Sequence, residues 1–229
     1  MNKTTFNLLA ISIFLMTITV LLGPLINLSP AVPAVATFTI LGIATFDSWS
    51  LEGRGGTLFL DVIGRFSSEY RERVLHHEAG HFLAAHALGV PVTGYTLSAW
   101  EAFKQKQKGF AGVTFDDVEL FSQFEKGAIT SQILERYYTI WMAGIAAENL
   151  VYDNASGGAD DKNKLIGILK SLGCSESLCN QKQRFSTLQA KTLLENNWSA
   201  YQALVDSMRE RATVKQCQEI LIEQGVGNR

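Results

Sequence analysis

The sequence predicts a mainly α-helical protein with a small β-sheet, an α+β fold, on three observations. Apolar residues recur at helical spacing over 67–88, 129–152 and 185–206. Two short β-prone runs, 93–97 and 109–115, fall between the first and second of these helices. Residues 5–46 carry no charged side chain, which sets an apolar N-terminal region apart from the rest.

The N-terminal region comes first. Its run over 6–22 is long enough to cross a hydrocarbon core as a helix, and Gly23-Pro24 breaks it. A second apolar run over 31–46 becomes a full span when extended through Trp49, an interfacial aromatic. A helical hairpin with its turn near 27–30 is expected, both ends on one side of a membrane. Lys3, Arg54 and Arg65 favour the cytoplasmic (or stromal) side, making an integral, multi-pass membrane protein with membrane lipid as one partner. A cleaved signal peptide is the competing reading, but the second apolar run continues past any plausible cleavage site. The expected organisation is a hairpin of two transmembrane helices over 1–50, a linker over 51–66 with Gly53, Gly55, Gly56 and Gly64, and a folded domain over 67–229.

Composition removes several functions. A chain of 229 residues suffices for one catalytic domain plus an appendage. Its net charge of −2 and pI of about 6.1 give nucleic acid no electrostatic footing. It has no phosphate loop of the form G-x-x-x-x-G-K-[ST], so ATP is not expected as a ligand of that kind. Cys174, Cys179 and Cys217 are an odd, small set that suits a reducing compartment better than a disulfide framework, with a Cys174–Cys179 bridge left open.

The first helix of the folded domain carries the chemistry. Ser67 and Ser68 are N-capping residues, and Glu69 and Glu72 place negative charge in the first turns. Gly89 can end the helix, with Pro91 after it. Tyr70, Val74, His77, His81 and Leu88 lie near one stripe. Within it, His77-Glu78-Ala79-Gly80-His81 matches H-E-x-x-H. Histidines four apart share a helix face and can bind one Zn²⁺, and Glu78 beside the first can act as general base on water. A plain buried pair of hydrogen-bonded histidines is the alternative, but the glutamate between them would be costly to bury without a partner. A zinc hydrolase, foremost a peptidase with a protein or peptide substrate, is therefore expected.

Catalytic zinc usually takes a third protein ligand. A histidine six positions after the second is ruled out, because position 87 is Ala, and His86 lies about 100° around the helix. Arg71, Glu72 and Arg73 before the motif argue against burial of that helix in lipid. The third ligand must be a distant carboxylate. Next come the β-prone runs with a basic loop of Lys104, Lys106 and Lys108 between them. Their small sheet serves either to hold an extended peptide at its edge or as a structural hairpin, and the residues leave both open. Over 129–152, Ile133, Tyr137, Trp141, Gly144 and Glu148 share a face, and Gly144 permits close helix approach. A loop over 153–161 precedes a helix from about Asp160 that carries Leu165, Ile168 and Leu169. A loop over 173–183, a long helix over 185–206 and a last helix over 210–224 complete the chain.

Three segments together resemble the peptidase domain of the FtsH family of membrane-bound zinc proteases. They are His76-His77-Glu78-Ala79-Gly80-His81, then Ala143-Gly144-Ile145-Ala146-Ala147-Glu148, similar to that family's Gly-x-Ala-Ala-Glu helix, and Gly157-Gly158-Ala159-Asp160-Asp161, similar to its Gly-rich turn before a metal-binding aspartate. The resemblance covers about residues 66–222. It implies an FtsH-like peptidase fold, His77 and His81 as zinc ligands, Glu78 as the base, and Glu148 orienting a ligand histidine. The family's turn places its aspartate three residues after the alanine, where this chain has Lys162. A one-residue shift to Asp161, which sets Leu165 and Ile168 toward the core, is chosen over Asp160, and helix N-capping is the plainer role for that pair. The resemblance also implies a homo-oligomer, hexameric in that family. Unlike FtsH proteins the sequence holds no ATPase motor between the apolar region and the peptidase segments. The expected function is thus ATP-independent endoproteolysis of unfolded or exposed segments, or alternatively a catalytically silent membrane binding or assembly factor.

Overall fold

The computed structural model describes residues 3–26, 29, 31–39, 68–98, 101, 112–127 and 129–227. The expected linker over 51–66, the second apolar run beyond residue 39 and the basic loop of Lys104, Lys106 and Lys108 lie outside, or almost wholly outside, the described residues. Two units separate by their internal contacts, Met1–Val62 and Ile63–Arg229.

In the first unit, helix α1 (Lys3–Leu22) runs into a 3₁₀ turn at Gly23–Ile26, where Gly23 and Pro24 stop it. Helix α2 covers residues 31–39. The described residues of α2 extend about 13 Å at 1.5 Å per residue, against about 30 Å of hydrocarbon. Lys3, Asn7 and Ser12 interrupt the apolar sequence of α1. Among the described residues no helix is long and apolar enough to cross a membrane. This corrects the expected transmembrane hairpin over 1–50, and with it the multi-pass integral membrane assignment and its cytoplasmic or stromal orientation.

The second unit is helical around one small sheet. Helix α3 (Ser68–Ala87) carries the H-E-x-x-H residues. It ends where Gly89 turns left-handed (φ 71°), with the Val90 amide donating to the Ala85 carbonyl at 2.9 Å. Tyr70, expected on the inward stripe, is 43% exposed, because the first turn of α3 projects past the core. Strands β1 (Val92–Thr96) and β2 (Gly112–Phe115) pair antiparallel, Tyr95 opposite Val113 and Thr96 opposite Gly112, with an irregularity between Val92 and Gly94. Helix α4 (Val118–Glu125) follows, in a stretch between 115 and 129 for which no element was expected.

Helix α5 (Ser131–Tyr152) starts where the Thr130 side chain accepts from the Ile133 amide. It is buried without a break from Tyr137 to Glu148, with α3 packed on it and α7 packed on it as well. Small residues let α3 and α5 approach: a Cβ on Gly80 would lie 2.6 Å from the Ala143 carbonyl oxygen. Helix α6 (Ala159–Ser171) begins after Gly158, whose φ of 81° few other residues adopt. Helix α7 (Glu176–Asn196) starts inside the stretch expected as loop, because the Ser175 side chain caps it by accepting from the Leu178 amide. The single helix expected over 185–206 is two. Asn197 (φ −121°, ψ 31°) leaves the helical region, its side chain donating to the Leu193 carbonyl while its own carbonyl starts α8 (Trp198–Arg209). Helix α9 (Val214–Glu223) begins later than expected, after Arg211 at φ 62°, behind a capping box of Thr213 and Gln216.

Candidate metal centre

His77 and His81 project from α3 toward α5 and the start of α6, and both are buried. The rings lie 4.7 Å apart at centroid, with their Nε2 atoms 3.0 Å from each other. Asp161, in the first turn of α6, places Oδ2 3.2 Å from His77 Nε2 and 3.4 Å from His81 Nε2. These three side chains each offer one ligand atom, all within 4.8 Å of one another. Asp160, its neighbour, is exposed. His86 instead meets the Val226 carbonyl at 3.2 Å.

The outer nitrogens settle which atoms carry hydrogen. His77 Nδ1 lies 2.8 Å from Glu148 Oε1, and His81 Nδ1 lies 2.7 Å from the Ile140 carbonyl oxygen. Both partners are acceptors, so each Nδ1 donates its hydrogen outward, and each Nε2 offers a lone pair inward whenever it holds no proton. Two lone pairs and a carboxylate oxygen therefore converge on one point. A proton on one nitrogen can bridge part of this set, as between His77 and Asp161, whereas a metal ion satisfies all three atoms at once. The spacing fits too. Tetrahedral zinc, with bonds near 2.0–2.2 Å, separates its ligand atoms by about 3.3–3.5 Å.

The electrostatics agree. Burial disfavours a charged His77, but its hydrogen bonds to Asp161 and Glu148 outweigh that and push its pKa up to about 10. Burial pushes Asp161 upward, yet the neighbouring His81 and His77 hold it well below the usual carboxylate range. The charges of the pocket thus favour positive charge at the point of convergence. Glu148 is pushed up by burial and pulled down further by His77 and by the Ser156 and Gly157 amides, which donate at 2.9 and 3.2 Å. Arg73 stands 3.7 Å from its Oε2, with the guanidinium over the Tyr152 ring.

Glu78 faces the sheet. Its Oε2 accepts from the Val113 amide of β2 at 2.9 Å. Burial, only partly offset by His77 and His81, raises its pKa above the ordinary glutamate value. A buried carboxylate raised in this way holds a proton more readily than an exposed one, which suits a general base that must also release its proton.

Glycines make room for the cluster. A Cβ on Gly144 would lie 2.4 Å from His77 Nε2, and one on Gly157 would lie 2.7 Å from Glu148 Oε1. Gly144 was expected to bring two helices together. It clears space for the His77 ring, and Gly80 makes the close helix crossing. The sequence reading missed the Val113 amide and the Ile140 carbonyl, since main-chain groups leave no signature in residue type. Tyr201 of α8 was also missed. Its hydroxyl donates to the His76 carbonyl at 3.0 Å and lies 2.9 Å from His76 Nδ1, gripping α3 one residue before the cluster.

No family model matches the chain. Over 109 residues, 46% of this chain, it is 35% identical to a protein of Sorangium cellulosum (strain So ce56) described as ATP-dependent zinc metalloprotease FtsH 1. The matched stretch spans 16% of that relative's length. The similarity supports at most an FtsH-like peptidase family, with a His77, His81 and Asp161 cluster capable of holding a metal ion.

Proposed function

We propose that this chain is an FtsH-like zinc metalloendopeptidase that cuts unfolded or exposed protein segments without ATP. The observation that carries this reading is the convergence of His77 Nε2, His81 Nε2 and Asp161 Oδ2 beside the buried carboxylate of Glu78. His77, His81 and Asp161 would hold the ion. When bound, zinc supplies Lewis-acid polarisation of a peptide carbonyl and acidifies the attacking water. Glu78 takes a proton from that water and returns it to the departing amine. The Val113 amide fixes one oxygen of Glu78 for this task. Glu148 holds the His77 ring by its Nδ1 hydrogen, and the Ile140 carbonyl does the same for His81.

The test joins metal content with digestion of casein, an unstructured substrate. Purified chain should carry about one zinc per molecule and cleave casein, as a tetrahedral three-ligand site requires. Chelation should stop cleavage and added zinc restore it. Asp161→Ala should lose the metal, while Glu78→Gln should keep it and lose cleavage. A Glu78→Gln protein that digests casein as wild type does would remove Glu78 from the reaction.

A further inference from the structure

Strand β2 leads from the candidate centre to a groove that the proposed chemistry does not use. The Val113 amide donates to Glu78 on α3. Two residues on, Phe115 lines a groove of about 510 Å³ together with Val118 and Phe121 of α4. At about 3.3 Å per residue, that is about 7 Å along the strand. The apolar floor is open, with Val118 73% and Phe121 59% exposed. Asp116, Asp117 and Glu125 line the groove as well, and among the described lining residues there is no lysine or arginine. Asp117 precedes α4 without capping it, and its Oδ1 is buried with no hydrogen-bond partner. Lys164 pairs with Asp161 at 3.6 Å and also acts electrostatically on Asp117, so the acidic side of the groove neighbours the cluster.

We propose that this groove holds the segment of a protein substrate beside the scissile bond, and that it selects apolar residues flanked by lysine or arginine. The choice of occupant follows from complementarity. Exposed apolar side chains favour a Leu- or Phe-like residue. The exposed carboxylates of Asp116 and Glu125, with no lysine or arginine among the described lining residues, favour cations and oppose acidic sequences. The assignment rests on the peptidase reading above. It narrows the substrates from any unfolded segment to cationic, apolar ones.

The experiment is fluorescence anisotropy on the full chain bearing Glu78→Gln, which should hold a peptide without consuming it. The probes are a short fluorescein-labelled peptide alternating Leu and Phe with Lys and Arg, and a twin with Glu at every basic position. The basic peptide should bind, more weakly as salt rises, and the acidic twin should not. Glu125→Lys, at an exposed position that leaves folding alone, should weaken the basic peptide by about tenfold and improve the twin. Phe121→Ser should weaken the basic peptide, with circular dichroism matching wild type. Equal binding of the twins, or unchanged affinity in Glu125→Lys, overturns the assignment. Self-association of the chain that Phe121→Ser abolishes, without peptide binding, gives the groove to a second copy and also overturns it. If discrimination holds but the zinc-loaded wild type leaves the bound basic peptide uncut, the groove stands and the metallopeptidase reading falls.

Discussion

Helix α5 packs against α3 and against α7, and the polar atoms buried in the two interfaces are treated differently. Toward α3, the outer nitrogens of His77 and His81 and both oxygens of Glu148 have partners. Toward α7, where Glu135 meets Lys182 and Thr139 meets Gln189, the Tyr138 hydroxyl, the Ser186 hydroxyl and Glu135 Oε2 are buried with none. A buried polar atom left unpaired costs about 1–3 kcal/mol. The α7 interface tolerates that cost as a packing defect. The α3 interface cancels it at those atoms and then leaves three ligand atoms pointed at one another, a set that a metal ion satisfies at once. Satisfied surroundings with one deliberate deficit mark a site, whereas scattered deficits mark ordinary packing.

Substitutions on the two sides should therefore diverge. The largest effect is expected at Glu78→Gln, which should lower casein cleavage by about 10²–10⁴-fold while zinc content, read by mass spectrometry, stays near wild type. Glu148→Ala should reduce zinc affinity by about 10–100-fold, measured by competition with a chelating dye, because His77 loses the acceptor that orients it. Gly80→Ala should destabilise the fold by about 1–3 kcal/mol in urea unfolding, since its Cβ would strike the Ala143 carbonyl. On the α7 side, Tyr138→Phe and Ser186→Ala should change stability by under about 1 kcal/mol, or raise it, by removing groups that have no partner. A large loss from either would erase the contrast.

The two sides should also part in acid. The folded state holds Glu148 below its ordinary value of 4.5. Its stabilising contribution is complete above that pH and is lost as pH falls through the depressed value. With zinc removed, Glu148→Gln should lose less stability than wild type between neutral pH and pH 3, followed by circular dichroism. An unchanged acid transition would show that the carboxylate is not the group that titrates.

The cluster was largely legible in the sequence because its side chains sit at fixed helical offsets. His77 and His81 are one turn apart, so helix geometry alone places them on one face. Asp161 needed the Gly157-Gly158 turn as a guide, and the turn indeed brings α6 against the His77 ring. What composition could not supply were the main-chain partners, Val113 and Ile140, and the break at Asn197, which periodicity ran straight through. The N-terminal region misled most. The absence of charge over 5–46 was taken as a span, but among the described residues no helix is long and apolar enough to cross a membrane.

The parts of the centre come from far along the chain: His77 meets Glu148 across 71 residues and Asp161 across 84, and Tyr201 reaches His76 across 125. During synthesis His77 and Glu78 leave the ribosome long before α6 exists. The nascent polypeptide therefore holds an incomplete donor set, and the proposed chemistry stays silent until the later helices have been made. The order of synthesis alone thus delays completion of the donor set.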